Sequence, residues 1–155
     1  RVSRGLGDVY KRQACNGIID YFDDVYDHHF SKIDNDQKLS KPKHVAKLFR
    51  DHEIKLLKPL LEFLRGNSNC RLIGPGDNVL RAPTVAFVPK NKKPSKVARD
   101  LSKYNIMSGA GDFYAVRPLK ALGIDPDEGV VRLSFVHYTS ENEDKRLIEA
   151  LEKIL

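Results

Sequence analysis

Apolar residues recur along the chain at two spacings, and the spacing indicates which element forms. Apolar positions three and four residues apart predict amphipathic helices, whereas alternation or a short apolar run predicts a strand. The predicted helices lie over 14–30, over 40–65, after Pro94, just before Gly123 and after Ser140, and the predicted strands over 70–73, 84–88, 106–108 and 129–140. This order predicts an α/β (α+β) fold, in which helices cover a small mixed or antiparallel sheet of three to four strands.

Proline and capping residues help to predict where several of these elements begin, kink or split. Ser40 is the predicted N-cap of the second helix, and Pro59 is expected to kink or split that helix. The apolar strand 84–88 is predicted to be central and buried on both faces. Ser140, followed three residues later by Glu143, predicts a capping box, so the last helix should begin directly after the final strand.

The final strand carries one charged side chain. Alternation places Val131, Leu133, Phe135 and His137 on the core side and Arg132 on the other side. A buried unpaired charge is costly, and the planar fork of arginine suits a carboxylate. Two interpretations stay open: Arg132 binds the carboxylate of a ligand, or it forms a salt bridge within the fold, which is the commoner situation for an arginine.

Length and composition exclude several classes of protein. The 155 residues suit one ordinary domain. No apolar run approaches the roughly 18 residues that a membrane span requires, and cytoplasmic residence is the default expectation. The two cysteines, Cys15 and Cys70, have neither a disulfide framework nor metal-ligand spacing.

The first residues look foreign to the rest of the chain. Residues 1–13 show no amphipathic period, and Met107 is the only methionine. We expect residues 1–13 to be a non-native leader and the domain to span 14–155. The leader contributes +3 of the formal charge of +6, so the remaining charge is too small to indicate nucleic-acid binding.

Other candidate sites are weaker. The loop from Gly109 to Tyr114 could bring backbone N–H groups to an anion, but a plain turn is the commoner structure. The basic stretch 90–99 could touch phosphates, although it lacks interleaved aromatic residues and is more often a solvated loop. His52 is a lone histidine on an apolar stripe, without the second histidine that a metal pair needs. No Ser/His/Asp or Cys/His nucleophile set is evident.

The order of motifs from about Cys15 onward resembles the C-terminal small domain of the class V aminotransferases, the pyridoxal-phosphate enzymes that include the cysteine desulfurases. The segment 81–87 (RAPTVAF) is similar to the family's strand after an R-x-P-T segment, and 94–106 is similar to its next helix, with Asn105 in place of a glycine. Residues 109–123 resemble the active-site loop and the helix after it, with Phe113-Tyr114-Ala115 as in the cysteine desulfurase-like subgroup. The stretch 131–138 (VRLSFVHY) resembles the closing strand.

The resemblance implies a role for each of these parts. Arg132 would bind the α-carboxylate of a small amino-acid substrate. The active-site loop would contain Gly109, Gly111, Asp112 and Tyr114. His137 and Tyr138 would support the site without touching the substrate. The lysine that holds pyridoxal 5′-phosphate would lie in a large domain upstream, so no catalytic residue is expected here and the chain alone should be inactive. The intact protein would be a homodimer, with no metal, membrane or nucleic-acid partner.

Two departures from the family limit what the resemblance implies. The loop of true desulfurases carries a sulfur-accepting cysteine, whereas no cysteine follows Cys70 here, which makes a persulfide on this loop doubtful. Thr139-Ser140 replaces the usual Asn-Thr. The alternative hypothesis is a stand-alone α/β module that uses Arg132 for an acidic metabolite or for a partner's carboxylate, without catalysis.

Overall fold

The computed structural model describes residues 4–30 and 41–155, with side chains from residue 9 onward. The elements are α1 (Arg4–Phe30), α2 (Lys41–Gly66), β1 (Cys70–Ile73), β2 (Thr84–Pro89), α3 (Pro94–Ser102), β3 (Gly109–Gly111), α4 (Val116–Ala121), β4 (Val130–Ser134) and α5 (Glu141–Ile154). They divide into two compact units, of which the first ends at Asp51 and the second spans His52–Leu155.

The first unit contains α1 and the beginning of α2. The rings of Phe22 and Phe49 meet edge to face with centroids 5.7 Å apart, and Lys41 Nζ lies 3.0 Å from the carboxylate of Asp27. Helix α1 begins at Arg4, within the segment expected to be a non-native leader. Whether residues 1–13 are native stays a prediction. The predicted N-cap Ser40 lies outside the described residues.

The second unit is built on a four-stranded sheet in the order β1-β2-β4-β3, and every neighbouring pair is antiparallel. One face packs against the His52–Gly66 part of α2, α3 and α5. The core on this face is made of aliphatic and aromatic side chains, among them Leu56, Leu60, Val85, Phe87, Leu101, Val131, Leu133 and Leu151. The predicted fold class is confirmed, with an antiparallel sheet.

A smaller apolar cluster lies on the opposite face of the sheet. Leu119 of α4, Ile124 and Val130 form its centre, and Ala86 and Val88 of β2 pack against it while remaining half-buried. Strand β2 is therefore central, as predicted, but it is fully buried on one face only. The six-residue helix α4 is too short to cover the whole of the second face.

Two predictions about individual elements differ from the structure. The third strand is Gly109–Gly111 rather than 106–108. It is preceded by Asn105, whose φ of 58° suits an asparagine in a position that favours glycine. Helix α2 is continuous through Pro59, so the helix is not split there, and the predicted kink stays a prediction. Leu56, Leu57, Leu60, Leu61 and Leu64 around this proline are all buried, and their packing outweighs the local cost of about 3 kcal/mol.

The final strand is shorter than alternation predicts. It ends at Ser134, and a turn follows in which the Thr139 N–H donates to the Val136 carbonyl oxygen (2.9 Å). Thr139 Oγ1 accepts a hydrogen bond from the Val136 N–H (3.1 Å), and His52 Nε2 lies 2.7 Å from the Thr139 carbonyl oxygen. His137 is half-buried within this turn, so its predicted place on the core side of a strand is wrong. The capping box of Ser140 and Glu143 is confirmed.

One carboxyl group is buried without a hydrogen-bond partner for Oδ1 among the described residues. Asp144, in the first turn of α5, is only 3% exposed. Burial disfavours its charged form and raises its pKa to about 6. An unfolded aspartate titrates near pH 4, so the folded chain binds this proton more tightly than the unfolded chain. The contribution of Asp144 to stability therefore falls as pH rises from about 4 to about 6.

Asp144→Asn is expected to raise the free energy of unfolding at pH 7 by about 2 kcal/mol, because it removes the cost of ionising a buried carboxyl group. Urea unfolding at pH 4 and pH 7 measures the effect. The stability of the variant should decline less between the two pH values than that of the wild type. Asp127→Asn, at an exposed position, is the control and should leave the decline unchanged. An equal decline in Asp144→Asn and wild type would contradict the assignment.

Candidate functional site

Arg132 lies in the middle of β4, opposite Ala86 of β2 and Gly109 of β3. Its neighbours Val131 and Leu133 are buried, and Arg132 itself is exposed on the face of the smaller cluster. Alternation along the strand thus predicted its orientation correctly. The guanidinium carbon lies 3.9 Å from the centre of the Phe113 ring, within the range of a cation–π contact.

The internal carboxylate partner that sequence reasoning left open is not found among the side chains of residues 9–30 and 41–155. Lysines 41, 47, 55, 93, 96 and 103 form ion pairs with carboxylates, and none of these pairs includes Arg132. The guanidinium N–H groups therefore remain available to a carboxylate from outside this part of the chain.

The loop between β3 and α4 has an unusual backbone. Phe113 and Tyr114, two bulky residues, have φ of 50° and 60°, and Gly111 has φ of 139°. The Ala115 N–H donates to the Asp112 carbonyl oxygen (2.8 Å), and Asp112 Oδ1 accepts from the Tyr114 N–H (3.4 Å). Non-glycine residues in this region cost about 1–3 kcal/mol each and are typical of binding loops.

The two glycines predicted to belong to a flexible loop are part of the sheet instead. Gly109 and Gly111 pair with Arg132 and Val130, because β4 offers a free edge to a segment without bulky side chains. The loop proper therefore runs from Asp112 to Ala115. It presents the Tyr114 side chain fully to solvent, with a relative exposure of 103%.

His137 and Tyr138 lie beyond the end of β4, in the turn over 136–139. Their rings meet edge to face, with centroids 5.1 Å apart, and Tyr138 is exposed. His52 of α2 contacts the end of this turn at Thr139. Sequence reasoning treated His52 as a lone core histidine, and no local signal reveals its contact with a residue 87 positions away.

Sequence reasoning also missed Phe113, the ring that stacks on Arg132. Its only signal is its place in the Phe113-Tyr114-Ala115 stretch that resembles the cysteine desulfurase-like subgroup.

The basic loop after β2 is held by protein contacts: Lys93 pairs with Glu128 at 2.8 Å, and Lys92 Nζ donates to the Ile154 carbonyl oxygen. The absence of nucleic-acid binding stays a prediction.

The two cysteines differ in burial. Cys70 is buried at the start of β1, its Sγ lies 3.5 Å from the Leu64 carbonyl oxygen, and burial raises the pKa of its thiol. Cys15 is exposed on α1. Neither belongs to the loop beside Arg132, so the described loop holds no sulfur nucleophile.

Iodoacetamide is expected to label Cys15 at least about tenfold faster than Cys70 in the folded chain, because the thiolate is the reactive form and Cys70 is buried with a raised pKa. Peptide mass spectrometry after timed labelling measures both rates. Cys70→Ser should leave the fast phase unchanged, and Cys15→Ser should abolish it. Equal labelling of both thiols without denaturant would contradict the expectation.

Over the described ranges, no group of three or more His, Cys, Asp or Glu side chains could hold a metal ion. No described helix is long and apolar enough to cross a membrane. Arg132 and Tyr114 are both exposed, so these two side chains do not enclose a cavity.

Comparison with known proteins gives a consistent result. The chain is 30% identical over 117 residues to the aminotransferase-like protein FGM3 of Gibberella zeae, covering 74% of this chain and 29% of that protein. The apo structure of a cysteine desulfurase from Thermococcus onnurineus NA1 matches 74% of this chain and 28% of its own, with 28% identity and a TM-score of 0.62. The cysteine desulfurase CsdA of Escherichia coli, at 20% identity and a TM-score of 0.58, shares the fold over 68% of this chain and 25% of its own.

The chain thus spans between a quarter and a third of the length of these relatives. Its sheet and helices match the C-terminal region of the desulfurase structures. The family model for class V aminotransferases matches residues 43–147, about two thirds of the chain. The chain belongs to the class V aminotransferase family, whose members use pyridoxal phosphate.

Proposed function

We propose that this chain is the substrate-binding part of a longer pyridoxal-phosphate-dependent enzyme, in which Arg132 binds the α-carboxylate of a small amino acid. The observation that carries the proposal is an exposed arginine without a carboxylate partner among the described residues, beside a strained loop, in a class V chain. A guanidinium binds a carboxylate through two parallel N–H···O bonds, which fix its orientation as well as its position.

The chain's own contribution is binding and orientation. Arg132 holds the carboxylate end of the substrate, and the loop over 112–115 lies next to it with Tyr114 exposed. Pyridoxal phosphate, held mainly by residues of the longer protein, supplies the electron sink that stabilises a carbanion. The intact enzyme is proposed to be a cytoplasmic homodimer, and this chain alone is inactive.

The reaction differs from loop-based desulfuration. Residues 109–123, which resemble the family's active-site loop, contain no cysteine, and Cys70 is buried. We therefore propose chemistry on a small amino acid that needs no cysteine from this loop.

The test is a substrate screen with the full-length protein, loaded with pyridoxal phosphate and offered the small amino acids one at a time. Keto-acid formation, ammonia release and sulfide release are measured. At least one amino acid is expected to be converted by the full-length protein and none by the 155-residue chain. A loaded full-length protein that converts none of them would contradict the proposal, as would activity of the chain alone.

A further inference from the structure

Three residues around the candidate site form one packed unit: Gly109 on β3, Arg132 on β4 and Phe113 in the loop that follows β3. We propose that Phe113 is a positioning residue, which holds the Arg132 guanidinium in the orientation that receives a carboxylate, and that Gly109 is a glycine because it makes room for the Phe113 ring. The inference rests on the proposed function of Arg132 and assigns the residues that orient it.

The contact between Phe113 and Arg132 involves the face of the ring. The guanidinium carbon is 3.9 Å from the ring centre, a separation that places the two groups in van der Waals contact. In this arrangement the guanidinium covers the negative face of the ring. The side chain of Arg132, which would otherwise sample many rotamers on an exposed strand, thus has a surface to rest on.

The absence of a side chain at Gly109 leaves room for the Phe113 ring. Gly109 is the direct register partner of Arg132 on the neighbouring strand. A Cβ built on Gly109 would lie 2.9 Å from both Cε1 and Cζ of Phe113, closer than real Cβ contacts. The ring therefore lies against the backbone of β3, and any side chain at position 109 would displace it from its place beside Arg132.

The backbone of the loop fixes the ring in this place. Phe113 has a φ of 50°, which a bulky residue adopts only when its surroundings impose it. Phe113 is half-buried and packs against the cluster formed by Leu119, Ile124 and Val130. The Phe113 ring thus packs against an apolar cluster and also contacts the guanidinium, before any substrate arrives.

The contact with Phe113 leaves free the N–H groups of Arg132 that would bind a carboxylate. The five N–H donors of a guanidinium lie in its plane and point outward, whereas a stacked ring occupies only the face of the group. The Arg132 side chain makes no hydrogen bond or ion pair among residues 9–30 and 41–155, so its N–H donors are open to a carboxylate while the guanidinium contacts Phe113. A pre-oriented guanidinium also loses less side-chain freedom when a carboxylate binds, which increases affinity.

Two variants disturb the unit from different sides. Phe113→Leu removes the aromatic face, and Gly109→Ala pushes the ring away. In the full-length enzyme each is expected to raise KM for the amino acid about two- to fivefold, as the loss of an exposed cation–π contact implies, with kcat unchanged. Phe63→Leu is the matched control, since Phe63 is half-buried against the larger core on the other face of the sheet. It should alter stability without altering KM.

Nuclear magnetic resonance of the 155-residue chain gives a readout independent of activity. The side-chain protons of Arg132, stacked on a ring, should resonate upfield of those of the other arginines. The upfield shift should disappear in Phe113→Leu, decrease in Gly109→Ala and persist in Phe63→Leu. Ordinary Arg132 shifts in the wild-type chain would overturn the inference, and so would a Phe113→Leu enzyme with the same KM as Phe63→Leu.

The kinetic series separates this inference from the function on which it rests. If Arg132→Ala raises KM while Phe113→Leu does not, Arg132 binds substrate without help from Phe113, and only the inference fails. If Arg132→Ala leaves KM unchanged, the proposed function itself fails. A higher KM in Arg132→Ala, Phe113→Leu and Gly109→Ala, with the smaller effect in the last two, supports both.

Discussion

Arg132→Ala in the full-length enzyme is expected to raise KM for the amino-acid substrate about 10- to 100-fold. The variant loses charge-assisted hydrogen bonds to the carboxylate, which contribute about 1.5–3 kcal/mol. Because the carboxylate does not react, the lost interaction is made equally in the ground and transition states, and kcat should change much less than KM. Steady-state kinetics over a wide range of substrate concentrations measures both quantities.

Arg132→Lys separates charge from geometry. Lysine keeps the positive charge but lacks the planar fork, so its KM should lie between the wild-type and alanine values. Arg71→Ala is the matched control, since Arg71 is also an exposed strand arginine and its side chain donates to the Leu122 carbonyl oxygen. It should leave KM unchanged. An Arg132→Ala enzyme with wild-type KM would remove Arg132 from the substrate site.

Gly129→Ala is expected to destabilise the chain by at least about 3 kcal/mol. Gly129 has a φ of 67°, which costs an alanine about 1–2 kcal/mol. A Cβ at this position would also lie 2.2 Å from the carbonyl carbon of Gly111. The obstacle is the backbone of β3 rather than a flexible side chain. The two strands must therefore move apart, and this overpacking destabilises the chain further. The midpoint and slope of urea unfolding measure the change.

Gly66→Ala is the control for this prediction. Gly66 ends α2, and a Cβ there would meet no atom within 4 Å. Its substitution should change the free energy of unfolding by less than about 1 kcal/mol. A Gly129→Ala chain as stable as the Gly66→Ala chain would contradict the close approach of Gly111 and Gly129 at the end of the β3–β4 pair.

Local patterns predicted the long elements correctly because those elements are periodic. The stripes of α2 and α5, the apolar run of β2 and the capping box at Ser140 all act between neighbours in sequence. Alternation likewise placed Arg132 on the side of β4 away from the larger core. These features, with the resemblance of the motif order, were enough to predict the fold class and the candidate arginine.

The remaining features depend on contacts between distant residues. Gly109–Gly111 has no strand propensity, and it pairs only because β4 has a free edge. Alternation continues to Tyr138, yet β4 stops at Ser134, and His52 contacts the following turn from α2. The stacking of Phe113 on Arg132 requires a backbone conformation that phenylalanine disfavours, so local propensity argues against it.

Carboxylate recognition is tested most directly by comparing an amino acid with the amine that lacks its carboxylate. The full-length protein and its Arg132→Ala variant are titrated calorimetrically with L-alanine and with ethylamine, or with the pair matching the best substrate found in the screen. The wild type is expected to bind the amino acid at least about tenfold more tightly than the amine, and the variant should bind both about equally. An Arg132→Ala protein that still prefers the amino acid as strongly as the wild type would contradict the assignment of Arg132 as the carboxylate-binding residue.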